Sequence, residues 1–319
     1  MPKLPALPPR DARPFDVVGL GQNSLDIVAR VARQPEPDSS APLDELVRLP
    51  GGEIATAMVA CARLGCRTAY VGSIGRDADG ADVEAALRRE GVDLTYVRRV
   101  EAPNRAAIIL VDRDGRRTVL WSRHPGLQLR AEDVDPAAVT RGRILLVDAM
   151  DPDASAAAAA HARRAGVATV IDIDAVRPGV ERLLSHIDVI IAAQDFVLAH
   201  TGASSLADGL RQIAADAGAS LVVATMGASG SLGLYEGEEI HTPAFPIDVI
   251  DTTGAGDAFR AGFLAAWVRY GATRPVPALL EVAAAVGALN CRALGAQTGL
   301  PQWSAVDVLV TRAANVRSN

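Results

Sequence analysis

Short, wholly apolar runs alternate along most of the chain with amphipathic stretches of helical period. FDVVGL (15–20), RILLVD, ATVIDID, IDVIIAA and SLVVAT lack the polar alternation of a half-exposed strand. Runs of this length and composition predict strands buried on both faces. Between them, positions 52–64 place Ile54, Met58 and Cys61 at helical spacing, with Gly65 as the stop. TAYVGSIG predicts a strand and turn, and VEAALRREG the helix after it. ASAAAAAHARRAG, VERLLSH and LADGLRQIAADAG fill the later gaps. The alanine run is simple in composition, but alanine is the best helix former, so it predicts an ordered helix. Strand–helix alternation of this kind predicts a mostly parallel sheet with helices on both faces.

Two segments break the alternation. Residues 27–50 hold prolines and polar residues around VARVARQ and DELVRL. Residues 105–121 read as two strand-like runs about a DRDG turn, a β-hairpin. With their flanks, about 27–50 and 101–124, they predict a small β-sheet lid on the main sheet. Such a flap would cover the carboxyl ends of the parallel strands, where open α/β sheets bind ligands. Residues 1–14 are proline-rich and are expected as a flexible tail, leaving 15–319 as one domain.

Composition narrows the function. The 319 residues are 49% apolar and 22% charged, with a net charge of −6. That balance speaks against a nucleic-acid surface. Three cysteines, Cys61, Cys66 and Cys291, match no zinc spacing and are too few for a disulfide framework. They fit free thiols in a reducing cytoplasm. No apolar run approaches the 18 residues or so of a membrane span.

The chemistry concentrates in DTTGAGDAF (251–259), where a loop becomes a helix. The following RAGFLAAWV predicts a helix from near Ala255. Its first N–H groups lack intrahelical partners, and the dipole is positive there, so an anion is stabilised. Asp257 in the same turn would repel a resting anion. It suits a base that takes a proton while charge develops beside it. Plain helix capping by Thr252, Thr253 and Asp257 is the alternative. Beyond the first strand, Asn23 and Asp26 are suited to hydrogen-bond the hydroxyls of a polyol, or to form a turn. Gly51 and Gly52 open the next helix and allow close backbone approach. Thr225, Gly227 and Gly230 in TMGASGSLGLY are suited to nucleotide phosphates, or to a glycine-rich hairpin. No GxxxxGK[ST] and no GxGxxG with its acidic partner occurs.

The order of these elements resembles the ribokinase-like (PfkB) carbohydrate kinases over about 15–301. DTTGAGDAF carries the resemblance most strongly, with GGEIATAMVACARLG, VGSIGRDADG and ATMGASGSLGLY. The resemblance implies a three-layer α/β/α fold with a mostly parallel central sheet and a small β-sheet lid. It implies an ATP-dependent transfer to a primary hydroxyl of a small sugar, with Mg²⁺ accompanying the nucleotide. Asp257 would be the base, and the N–H groups of Gly254, Ala255, Gly256 and Asp257 the anion hole. Asn23, Asp26, Gly51, Gly52, Thr56 and Arg105 would meet the substrate, and Thr225, Gly227 and Gly230 the ATP. Asp251 and Thr253 match positions that bind a monovalent cation, K⁺, in some members.

Three departures stand out. Thr56 stands where many members have Asn. Ala193 and Phe196 replace the Asn and Glu of the family's Asn-x-x-Glu motif, leaving Gln194 or Asp195 as substitutes. Arg260, one turn from Asp257, is placed to touch phosphate, tune the base, or form an i,i+3 ion pair. A nucleoside kinase and a non-catalytic sugar-binding protein are the rival readings. A cytoplasmic homodimer through the lid edges is also expected, since open strand edges are usually covered.

Overall fold

A computed structural model describes residues 1–317. The chain runs through β1 (Phe15–Leu20), β2 (Ser24–Arg30), β3 (Glu45–Gly51), α1 (Glu53–Arg63), β4 (Thr68–Val71), β5 (Ser73–Gly75) and α2 (Ala78–Arg89). It continues through β6 (Arg98–Val100), β7 (Ala106–Val111), β8 (Arg117–Ser122), α3 (Pro136–Val139), β9 (Gly142–Asp148) and α4 (Pro152–Arg164). Next come β10 (Ala168–Ile173), α5 (Val180–Leu184), β11 (Val189–Ala193), α6 (Gln194–Thr201), α7 (Leu206–Ala217) and β12 (Leu221–Thr225). The described chain closes with β13 (Ser231–Tyr235), β14 (Glu238–Thr242), α8 (Ala255–Tyr270), α9 (Val276–Asn290) and α10 (Trp303–Arg317). Residues 318 and 319 of the expected domain lie outside the described residues.

Among the described residues the main sheet has eight strands in the order β14-β13-β12-β11-β10-β9-β1-β4. From β4 to β12 the pairings are parallel, and β13 and β14 turn back antiparallel. Alternate residues of the parallel strands enter two separate cores. Ile144 and Leu146 of β9 pack with α1, α8 and α9, whereas Leu145 and Val147 pack with α4 to α7. A strand buried on both faces has no use for polar alternation, which is why these segments read as unbroken apolar runs. The three-layer α/β/α architecture expected from the sequence is the one observed.

A second sheet, in the order β3-β2-β7-β8, forms the lid. Its inner face buries Val28, Ala107, Ile109 and Val111 against Leu294 of the main body. Its outer face leaves Leu46, Ile108 and Leu120 exposed. The lid starts earlier than expected. β2 begins at Ser24, so Asp26 belongs to the lid sheet itself and not to a loop after β1.

The first 14 residues, expected as a flexible tail, lie along the domain. Leu4 and Leu7 pack on the core, Ser220 Oγ donates to the Lys3 carbonyl at 2.9 Å, and Arg143 Nε donates to Pro8 at 2.7 Å. Two leucines among the prolines suffice for that contact.

Asp16, at the start of β1, is fully buried and receives Arg67, Arg143 and Arg10. Burial pushes its carboxyl up, but the hydrogen bonds and charge of Arg67 outweigh this and hold it below the usual carboxylate range. Asp16→Ala is expected to destabilise the fold by about 3 kcal/mol, because Arg143 is left buried without its partner. A depressed folded-state pKa stabilises above the unfolded value and ceases to do so as pH falls through the folded one. Urea unfolding of wild type and variant should therefore differ most near neutrality and converge in strong acid.

Candidate active site

The site lies at the carboxyl ends of β1, β9 and β10, between the lid and the start of α8. The loop before α8 is tied down by Asp251. Its Oδ1 accepts from the Thr253 N–H at 2.8 Å and from Thr253 Oγ1 at 2.7 Å, and its Oδ2 accepts from the Gly295 N–H at 2.8 Å. Gly254 follows at φ +75°, and a Cβ there would lie 2.6 Å from the Ala296 carbonyl. Only glycine fits.

That left-handed residue aims the start of α8. Among the described residues the N–H groups of Gly254, Gly256 and Asp257 have no hydrogen-bond acceptor, whereas the Ala255 N–H donates to the Thr252 carbonyl at 3.2 Å. Three of the four donors expected of an anion cradle are thus free, and Ala255 closes the turn instead. Asp257, half-buried beside them, has its carboxyl pushed up to about 6. Burial is the main cause, the guanidiniums of Arg260 and Arg117 oppose it, and Asp174 and Asp26 add to it.

Arg260 touches neither a free cleft nor Asp257 as an i,i+3 partner. It is buried, pairs with Asp172 of β10 at 2.8 Å and donates to the Ile191 carbonyl at 3.3 and 3.2 Å. Its Nη1 occupies the space that a side chain at Gly256 would need. Arg260 therefore supports the helix start from beneath and acts on Asp257 by its charge.

The lid supplies the other wall. Asp26 is buried, with Oδ1 accepting from Ser24 Oγ at 2.6 Å. Its Oδ2 has no hydrogen-bond partner among the described residues. Burial pushes this carboxyl up, and Ser24 and Arg105 hold it back. A side chain on Gly51 would collide with the Asp26 carboxylate, and one on Gly52 (φ +92°) with the backbone of Asn23. The two glycines make room for Asp26 and for the turn into α1. Arg105 lies over the Trp121 ring, with its guanidinium carbon 5.4 Å from the centroid. At the other end of β8, Arg117 Nη1 donates to the Thr252 carbonyl and Oγ1, each at 2.9 Å, joining the lid to the loop before α8.

Asn23 and Thr56 are placed differently. The Asn23 amide donates to Tyr70 Oη at 2.9 Å and to the Ser73 carbonyl at 2.8 Å, and accepts from Asn104 at 3.1 Å. Thr56 is fully buried, and its hydroxyl accepts from Gln297 Nε2 at 3.3 Å. Both knit the walls of the cleft together. Thr225 ends β12, and Gly227 and Gly230 (φ +56° and +86°) make the turn into β13. These residues form the glycine-rich hairpin between β12 and β13.

At the positions of the family's Asn-x-x-Glu motif, Ala193 ends β11, Phe196 is buried and stacked on His200, and Gln194 and Asp195 are exposed. Among the described residues no group of three or more His, Cys, Asp or Glu is arranged to hold a metal ion. Asp148, Asp172 and Glu53 were missed in the sequence. Asp148 and Asp172 were legible as acids inside apolar strands, a costly placement that needs a purpose.

A family model described as pfkB family carbohydrate kinase matches residues 15–303. The chain belongs to that family. It is 33% identical over 294 residues to an ATP-dependent ribose-1-phosphate kinase of Halopiger xanaduensis, covering 88% of this chain and 94% of the relative. It is 31% identical over 277 residues to a fructokinase of Klebsiella pneumoniae, covering 80% and 90%. Arabidopsis thaliana ribokinase, solved with ribose and ATP, superposes with a TM-score of 0.77 at 25% identity, covering 93% of this chain and 98% of that one. Giardia lamblia ribokinase shares the fold at a TM-score of 0.84 and 18% identity, covering 93% and 99%. As a pfkB carbohydrate kinase, the protein is a phosphotransferase. No described helix is long and apolar enough to cross a membrane.

Proposed function

We propose that the protein transfers the γ-phosphoryl group of ATP to a primary hydroxyl of a small sugar, with Asp257 as general base. The observation that carries this is the free N–H groups of Gly254, Gly256 and Asp257 beside the Asp257 carboxyl, which burial pushes up to about 6. The acceptor O–H gives its proton to Asp257 as its oxygen bonds to the γ-phosphorus. The bond from that phosphorus to the bridging oxygen breaks, and ADP leaves. The three N–H groups and the dipole of α8 stabilise charge on the transferring group. Asp26 Oδ2 accepts from the sugar hydroxyls, and the turn through Gly227 and Gly230 lines the nucleotide. Mg²⁺ enters as part of the nucleotide substrate. A nucleoside acceptor would need apolar or aromatic walls around its base.

ADP release that starts only when a sugar is added would support this reading; release unaffected by any sugar would count against it. The base must be ionised to act, and its folded pKa lies above the usual carboxylate value. Accordingly kcat/KM should climb with pH through about 6 and then level off. A flat profile between pH ~5 and ~8 would remove Asp257 from the proton transfer.

A further inference from the structure

The transfer to a neutral sugar leaves Arg105 unused. Arg123, Arg143 and Arg260 are also withdrawn from solvent, and each pairs with a carboxylate: Asp151, Asp16 and Asp172. Arg105 makes no ion pair, and its guanidinium donates no hydrogen bond among the described residues. Its Nε is shut off from solvent without a partner. Burial disfavours its charge, and Glu53, Asp26 and Asp148 favour it from a distance. The ionisation of Glu53 is itself opposed, by burial first and then by Asp172, Asp148, Asp174 and Asp257. A fixed, forked cation stacked on an aromatic ring and lacking a counter-ion is built to receive one.

Register places that cation at a defined point of the lid. On the inner face, Asp26 and Trp121 both flank Ala107, and Arg105 lies two residues before it along the strand. Two residues of strand span about 7 Å. In the other direction the same face runs through Ile109 to Val111, whose partner Arg117 bonds to Thr252 at the mouth of the anion cradle. The inner face therefore reads in order: a free cation, a carboxylate for hydroxyls, then the transfer site.

We propose that Arg105 binds an oxyanion substituent of the acceptor, so that the substrate is an anionic sugar bearing a phosphate ester or a carboxylate at the end opposite the reacting hydroxyl. This rests on the cleft being the acceptor site of a kinase.

The test compares matched acceptors with ATP and the intact protein: ribose against ribose 1-phosphate, and glucose against gluconate. Wild type, Arg105→Met and Arg105→Lys are each assayed, and the Kd of every acceptor is measured by calorimetry. A charged hydrogen bond sets the expected size. The anionic member of at least one pair should be preferred about tenfold to a hundredfold, the preference should vanish in Arg105→Met, and it should survive in part in Arg105→Lys. Preference for ribose 1-phosphate identifies a phosphate ester, and for gluconate a carboxylate. Equal Kd within both pairs in wild type, or a preference unaltered in Arg105→Met, overturns the proposal whether or not transfer is seen. Tighter anion binding that Arg105→Met abolishes, without any transfer, would instead uphold the subsite and sink the kinase reading.

Discussion

Asp257→Asn is expected to lower kcat by about 100- to 10,000-fold, the usual contribution of a general base. The amide keeps the shape of the carboxylate and removes the basic oxygen. Nucleotide affinity should hold or improve, because the neutral side chain no longer repels phosphates at the start of α8. Folding should survive. Asp257 is no cap of α8, since Gly254 holds that position, and its carboxylate accepts no hydrogen bond among the described residues. A helix-terminal residue without a chemical role would show the opposite pattern of small stability changes and near-normal turnover. Single-turnover transfer, nucleotide Kd and melting temperature on one preparation distinguish the two. A variant that keeps more than about a tenth of wild-type turnover would defeat the base assignment.

Asp26→Ala should raise the sugar KM about tenfold to a few hundredfold, the loss of a charged hydrogen bond worth roughly 1.5–3 kcal/mol. Nucleotide affinity should barely change, because Asp26 sits on the lid and the loop proposed to line the nucleotide lies after β12. The variant also strips Ser24 Oγ of its acceptor at 2.6 Å, so some loss of lid stability accompanies it. Asp26→Asn separates the effects, since it retains an acceptor for Ser24 while losing the charge. Unaltered sugar binding by calorimetry in both variants would remove Asp26 from the acceptor site.

The sheet was legible because burial on both faces leaves a plain trace, as in RILLVD and SLVVAT. The start of α8 was legible for a similar reason: glycines before an apolar helix are hard to place elsewhere. The start of the lid was not, because Ser24-Leu25-Asp26 reads as a turn, and only pairing of β2 with β3 and β7 makes it a strand. The partner of Arg260 was hidden too. Helical spacing offered Asp257, yet Asp172 reaches it from β10, and no local pattern ranks a tertiary partner above a neighbour. Thr56 and Asn23 looked like cleft residues by position, but Gln297, Tyr70 and Asn104 claim their polar groups from distant segments. Arg105 was legible as a cation near the cleft. That it lacks a counter-ion, while Arg123 has Asp151, depends on side-chain placement that spacing does not encode.

The central claim is that a phosphoryl group moves from ATP to a sugar's primary hydroxyl, and the product tests it most directly. The protein would be incubated with γ-³²P-labelled ATP and a panel of aldoses, ketoses, sugar phosphates, sugar acids and nucleosides. The labelled product would then be isolated and the phosphorylated carbon located by phosphorus–proton NMR. The account predicts one labelled ester on a primary carbon of a sugar, formed in equal amount with ADP. Label recovered only as inorganic phosphate, or an ester confined to nucleosides, would contradict it.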